Sequence, residues 1–158
     1  MRKNVTVAAV QMSMIENDEA ANIAKAVRMI RQASSMGGQI ILLPELFTGH
    51  YFPKDQLPEH FELAQPLIGH PMIISMQALA RELEVVLPVS FYERDGLVLF
   101  NSVAVIDADG SLLGVYRKSH IPDGTGWYFS ISVWKTTLSY FILHPHKPMH
   151  LTPCHAPT

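Results

Sequence analysis

The chain has 158 residues, 48% hydrophobic and 16% charged, with a formal net charge of −2 and a pI near 6.4. That length fits one domain with a substantial core, and the composition is that of a soluble globular protein, somewhat more apolar than average. There is no basic field to attract nucleic acid or an anionic membrane, no apolar run near the roughly 18–20 residues of a membrane span, and a single cysteine, which excludes an internal disulfide.

The opening MRKNVTVAAVQM has two basic residues but lacks the long apolar stretch of a secretory leader, so a first strand is expected there. The lone cysteine fits a reducing compartment, and a cytoplasmic location is expected. Val5 to Val10 is a β-branched and alanine run without polar alternation, which predicts a strand covered on both faces. Asn17 or Asp18 can cap the helix that follows, with Asp18 and Glu19 in or near its first turn. Ile23, Val27, Ile30 and Ser34 share one face at helical spacing, and Gly37 is a natural stop. Gln39 to Leu43 is a second buried strand that Pro44 ends. Strand, helix and strand with tight links make a βαβ unit with a parallel pair.

Thr48 to Pro71 has no clean period and reads as a long surface excursion with one helical turn. Ile73, Met76, Ala80 and Leu83 mark a second amphipathic helix, and Val85 to Phe91 a third strand. Asp95-Gly96 and Asp109-Gly110 then separate strand-like runs, which predicts consecutive hairpins. The fold class expected is α/β with antiparallel strands added. Residues 127–158 differ in kind: they hold four of the eleven prolines and four of the eight histidines, and no Asp, Glu or Gly. Trp127 to Leu143 suits a strand pair or an apolar helix. The stretch from His144 onward, broken by Pro145, Pro148, Pro153 and Pro157, is expected to be neither.

Two residues stand where α/β proteins place chemistry. Glu45 directly follows a buried strand, at the carboxyl end where such sheets hold ligands. Desolvation there would raise its pKa toward neutrality and suit a general base; the plain alternative is a surface glutamate capping a loop. Lys118 follows the run LLGVY, where an ammonium could stabilise an oxyanion or move a proton; taken by itself, the favoured reading is a solvated lysine beside Arg117. His120 could serve as a proton carrier near neutral pH, yet a loop histidine more often serves as a hydrogen-bonding strut. His144, His146, His150, Cys154 and His155 invite a zinc reading, but no paired ligand spacing is present and the prolines leave no scaffold. Gly124 to Gly126 is too short for a phosphate loop.

The segments VTVAAVQM, GGQIILLPELF and GVYRKSHIPDG together resemble the nitrilase, or carbon–nitrogen hydrolase, superfamily over residues 1 to about 126. Within it, the run from Leu87 to Gly124 is similar to enzymes that hydrolyse linear carbamoyl amines. The resemblance implies a four-layer α-β-β-α sandwich and a Glu-Lys-Cys triad, with Glu45 as general base and Lys118 as its second member. It implies thiolate attack on a carbamoyl carbon, loss of ammonia, and hydrolysis of the adduct by water activated at the glutamate. The product carbamate then yields carbon dioxide and an amine of polyamine synthesis.

No metal or organic cofactor is implied. The implied partners are a small carbamoyl amine and further subunits, whether copies of this chain or intact family members, with neither nucleic acid nor membrane. The family's nucleophile lies some thirty residues past the lysine in a context like G-I-C-W-D, and a second glutamate follows the glycines; neither form is present here. Cys154 sits in LTPCHAP with no strand expected to lead into it, so it is not assigned as nucleophile. The chain is therefore expected to be the incomplete N-terminal part of such a sandwich, residues 1–126, with a divergent, disordered tail over 127–158. Two outcomes follow: a truncated and inactive hydrolase, or a non-catalytic variant that binds and modulates intact subunits.

Overall fold

The computed structural model describes residues 4–54 and 57–119, and the backbone of Tyr140–Leu143 and Leu151–Cys154. The βαβ unit forms as the sequence predicts. Strand β1 (Val7–Ala9) leads through helix α1 (Glu19–Ser35) to strand β2 (Ile40–Leu42), and the strands pair in parallel with Val7 opposite Ile40. Asp18 caps α1, its carboxylate accepting from the Ala21 N–H at 2.9 Å. Gly37, at φ +91°, turns the chain out of the helix in a conformation other residues rarely adopt. The buried stripe of α1 is Asn22, Ala26 and Ile30, one residue round from the predicted face, with Ile23 and Val27 half-buried at its flank. The small Ala26 lets the helix sit close to the sheet. Asn22 is fully buried because it gives and takes three backbone hydrogen bonds, with Ile15 N–H, Ile15 C=O and Thr48 C=O.

Helix α2 (Pro71–Leu83) buries Met72, Ile73, Met76, Leu79 and Ala80, while Leu83 is half-buried. Strand β3 (Leu87–Asp95) runs four residues past its predicted end, into the Asp95-Gly96 turn. Strands β4 (Val98–Ile106) and β5 (Leu112–Arg117) complete the two expected hairpins, and Gly96 (+60°) and Gly110 (+82°) take positive φ at the turns. Just before β3, Val86 donates to the Gln39 carbonyl at 2.8 Å and accepts from the Ile41 N–H at 3.0 Å, so the antiparallel meander adjoins β2. Ile30, Ile73 and Met76 from the helices meet Ile41, Leu87, Val89 and Ile106 from the strands in one core.

The opposite face carries a smaller cluster, Val86 and Val105 flanked by Ile40, Val103 and Leu113. Beside it Val7 (64% exposed) and Leu42 (47%) lie open, so β1 and β2 are not covered on both faces as their apolar runs predict. The segment from Thr48 to Pro71 is also less superficial than expected. It makes two 3-10 turns, Phe52–Lys54 and Pro58–Leu63, and buries Phe52 and Ala64 against Leu46 and Tyr92. Its aromatics pay no regard to a regular period because they pack from irregular backbone. In the tail, β6 (Tyr140–Leu143) and β7 (Leu151–Cys154) pair antiparallel, which corrects the reading that the prolines exclude any regular element. Pro153 stands opposite Phe141 in that two-stranded pair; proline is tolerated where its missing N–H falls on an edge.

Candidate active site

Glu45 stands three residues past β2 and Lys118 immediately follows β5. Though 73 positions apart in sequence they meet, Lys118 Nζ donating to Glu45 Oε1 at 2.8 Å. Asn101, on β4 and 7% exposed, donates from Nδ2 to the same oxygen at 2.6 Å. A carboxylate only accepts, so the amide nitrogen must face it. The Tyr51 phenol is a further hydrogen-bond donor to this carboxylate.

The backbone next to Glu45 is held as firmly as its side chain. Leu46 is 4% exposed and adopts φ +50°, a left-handed conformation that costs a residue other than glycine roughly 1 kcal/mol or more. Its N–H donates to the buried Ser90 hydroxyl at 3.0 Å. Two residues on, the Thr48 carbonyl is gripped by Asn22. On the lysine side, Arg117 forms a forked pair with the buried Glu93 (Nε at 2.9 Å, Nη2 at 2.6 Å), reaches Asp95 at 2.8 Å, and lies 4.0 Å above the Phe100 ring. Ser102 Oγ donates to Glu93 at 2.6 Å, completing a network that pins the end of β5.

Burial pushes the Glu45 carboxyl upward, but the Lys118 ammonium, with Asn101 and Tyr51, outweighs it and leaves the pKa below the ordinary carboxylate value. The expected rise toward neutrality is thus reversed: the group is only partly desolvated and three donors stabilise its charge. Lys118 is raised, chiefly by its hydrogen bond to Glu45, and Tyr51 is raised by burial and by the Glu45 charge. At neutral pH the site is a carboxylate–ammonium pair. Such a pair can accept a proton at the glutamate and hold an oxyanion at the lysine.

The two sequence-assigned residues are brought together. His120, Gly124 to Gly126, and His144, His146, His150 and His155 lie outside the described residues, and of Cys154 only the backbone is described. That backbone ends β7, so a strand does lead into Cys154, contrary to expectation. Among the described residues no group of three His, Cys, Asp or Glu is arranged to hold a metal. Asn101, Tyr51 and Ser90 were not singled out from the sequence. Asn101 carried one signal, a polar residue inside the apolar run LFNSVAVI; Tyr51 carried none. A cavity of about 760 Å³ between Leu46, His50, Phe52, His70 and Tyr92 is lined by neither Glu45 nor Lys118, so it is not where a group reacting with that pair would sit.

Comparison with known proteins bears on this pair. The carbon-nitrogen hydrolase family model matches residues 6–138, past the end of the recognisable motifs. N-carbamoylputrescine amidase of Solanum tuberosum is 54% identical over 123 residues, covering 78% of this chain and 41% of the amidase. Citrullinase of Francisella tularensis is 47% identical over 142 residues, covering 84% of this chain and 49% of the relative. The crystal structure of a carbon-nitrogen hydrolase from Helicobacter pylori superposes with a TM-score of 0.68 at 30% identity, over 78% of this chain and 42% of that one. The chain thus spans less than half the length of these relatives. The fold class is α/β, and the chain belongs to the carbon–nitrogen hydrolase family.

Proposed function

We propose that this chain carries the Glu-Lys part of an amidase site for linear carbamoyl amines, with N-carbamoylputrescine as the leading substrate. The observation that carries the reading is the 2.8 Å contact between Lys118 Nζ and Glu45 Oε1, made by residues that stand at the ends of two different strands. In the proposed reaction a cysteine thiol gives its proton to Glu45 as its sulfur adds to the carbamoyl carbon, and Lys118 holds the oxyanion. Glu45 passes that proton to the amino group that leaves as ammonia. Glu45 then takes a proton from water as its oxygen attacks the thioester-like adduct; the thiolate departs, and the carbamate released loses carbon dioxide to leave the amine. The ureido end is the common element of N-carbamoylputrescine and citrulline, the substrates that the relatives' names point to. The cytosol is the proposed location.

No residue of the chain is assigned as nucleophile, and we propose that the 158-residue chain alone is inactive. Ammonia release from N-carbamoylputrescine and from citrulline, by the purified chain and by a Cys154→Ala variant, tests this. Absence of release is expected for both proteins. Turnover that vanishes in Cys154→Ala would place the nucleophile in β7 and overturn the inactive reading. Joining residues 1–126 to the remaining C-terminal part of the Solanum tuberosum relative should give activity; a folded but inert product would count against the Glu-Lys assignment.

The open strip of Val7 and Leu42 favours a second reading, in which the chain docks on intact family subunits through this sheet face. Native mass spectrometry of the chain mixed with the intact relative decides it, since mixed oligomers are required.

A further inference from the structure

We infer that Asn101 is the positioning residue of the site, holding Glu45 through its side chain and Lys118 through its backbone. Its Nδ2 donates to Glu45 Oε1 at 2.6 Å, and its carbonyl accepts from the Lys118 N–H at 2.9 Å. One residue, buried on a strand paired on both sides, therefore sets where the carboxylate and the ammonium stand relative to each other. Asn101 stands opposite Tyr92 of β3 and next to the Ser102–Arg117 pair with β5, so the Glu45–Lys118 pair inherits the rigidity of the sheet.

The geometry also divides the two carboxylate oxygens. Oε1 takes donors from both Asn101 and Lys118, which occupies both of its lone pairs. Oε2, which neither of them reaches, is then the oxygen that receives the proton. The groups facing Glu45 are Lys118 and Tyr51, with Tyr116 acting through Lys118; Asn101 is the one neutral amide among them, and it favours the ionised form. Its loss should move the Glu45 titration without removing any charge from the site.

This inference rests on the reading of Glu45 as the base, but its test does not need turnover. The chain is labelled with ¹³C at glutamate side chains, and the Glu45 carboxyl resonance is identified by its disappearance in Glu45→Gln. Carboxyl titrations are then followed in wild type, Asn101→Ala and Asn101→Asp. In Asn101→Ala the Glu45 midpoint should rise by about one pH unit, the effect of losing one hydrogen bond to a charged acceptor. Asn101→Asp, nearly isosteric, places a second carboxylate against the first, and the two should titrate in separated steps with one midpoint well raised.

A midpoint unchanged within about 0.2 units in folded Asn101→Ala, against the rise of about one expected, overturns the proposal. So does independent titration of the two acids in Asn101→Asp. If both variants lose their dispersed backbone spectrum, Asn101 serves folding and the proposal also fails. The amidase reading fails separately, on turnover that survives Glu45→Gln in residues 1–126 joined to the C-terminal part of an intact relative.

Discussion

Glu93→Ala should destabilise the fold by about 3–4 kcal/mol, and the figure follows from what the carboxylate holds. Glu93 is 3% exposed, and accepts twice from Arg117 and once from Ser102. Removing one partner of a buried ion pair costs about 3–5 kcal/mol because a charge is left uncompensated. Arg117 is 36% exposed and keeps Asp95 at 2.8 Å, which lowers its share to about 2–3. The fully buried Ser102 hydroxyl, left without its acceptor, adds about 1. With a urea m-value of about 1.5–2 kcal/mol/M, the midpoint followed by far-ultraviolet circular dichroism should fall by roughly 2 M. Arg117→Met, alone and combined with Glu93→Ala, completes a double-mutant cycle in which a coupling of about 2 kcal/mol is expected. A loss under about 1 kcal/mol with no coupling would refute the view that this network, rather than the strand ladder alone, fixes the end of β5.

In residues 1–126 joined to the C-terminal part of an intact relative, Glu45→Gln should keep the fold and cut turnover by roughly 10³-fold or more; a change within about threefold would remove the base role. Stability should fall on acidification below about pH 4.5. The Glu45 pKa is depressed in the folded state, so the unfolded chain binds that proton first. Urea midpoints from pH 7 to 3 check this, and Glu45→Gln should flatten part of the slope. Gly110→Ala should cost about 1–3 kcal/mol, since φ is +82° and a Cβ would stand 2.6 Å from the Gln77 carbonyl. Gly96→Ala, with a similar φ but open space around it, should cost only about 1, and equal melting temperatures for the two would show that the close approach to α2 is not felt.

The parts of the fold legible in the sequence were those with a local cause. Asp18 and Gly37 bound α1, and the Asp-Gly turns place the hairpins, because caps and positive-φ turns depend on a few adjacent residues. Glu45 and Lys118 were legible for a different reason, the resemblance of the segments around them to a family. What stayed hidden depends on partners distant in sequence. Asn22 looks like a poor helix residue until the Thr48 carbonyl is placed above it, and Tyr51 gains its role only when the excursion folds back on Glu45. The depressed Glu45 pKa was hidden too: burial could be guessed from the strand before it, but the count of donors around it could not.

The alternation of β4 and β5 explains why the site and its support can share two adjacent pairs of residues. Ser102 stands opposite Arg117, and both turn to Glu93; one step along, Asn101 and Lys118 turn to Glu45. Successive side chains on a strand point to opposite faces, so a pairing shifted by one residue would exchange the two sets. That shift is what the hairpin would reach without the irregularity between Val105 and Ile106. Nearer the turn Ile106 faces Leu112, and beyond it Val105 faces Gly114, so Leu113 is the extra residue. With a regular ladder from Ile106 and Leu112 onward, Ser102 would face Tyr116, and Arg117 would fall opposite Asn101 with its guanidinium toward Glu45. Lys118 would then turn to the Glu93 side. The bulge therefore sets the parity of the strand, and through it decides which cation meets the candidate base.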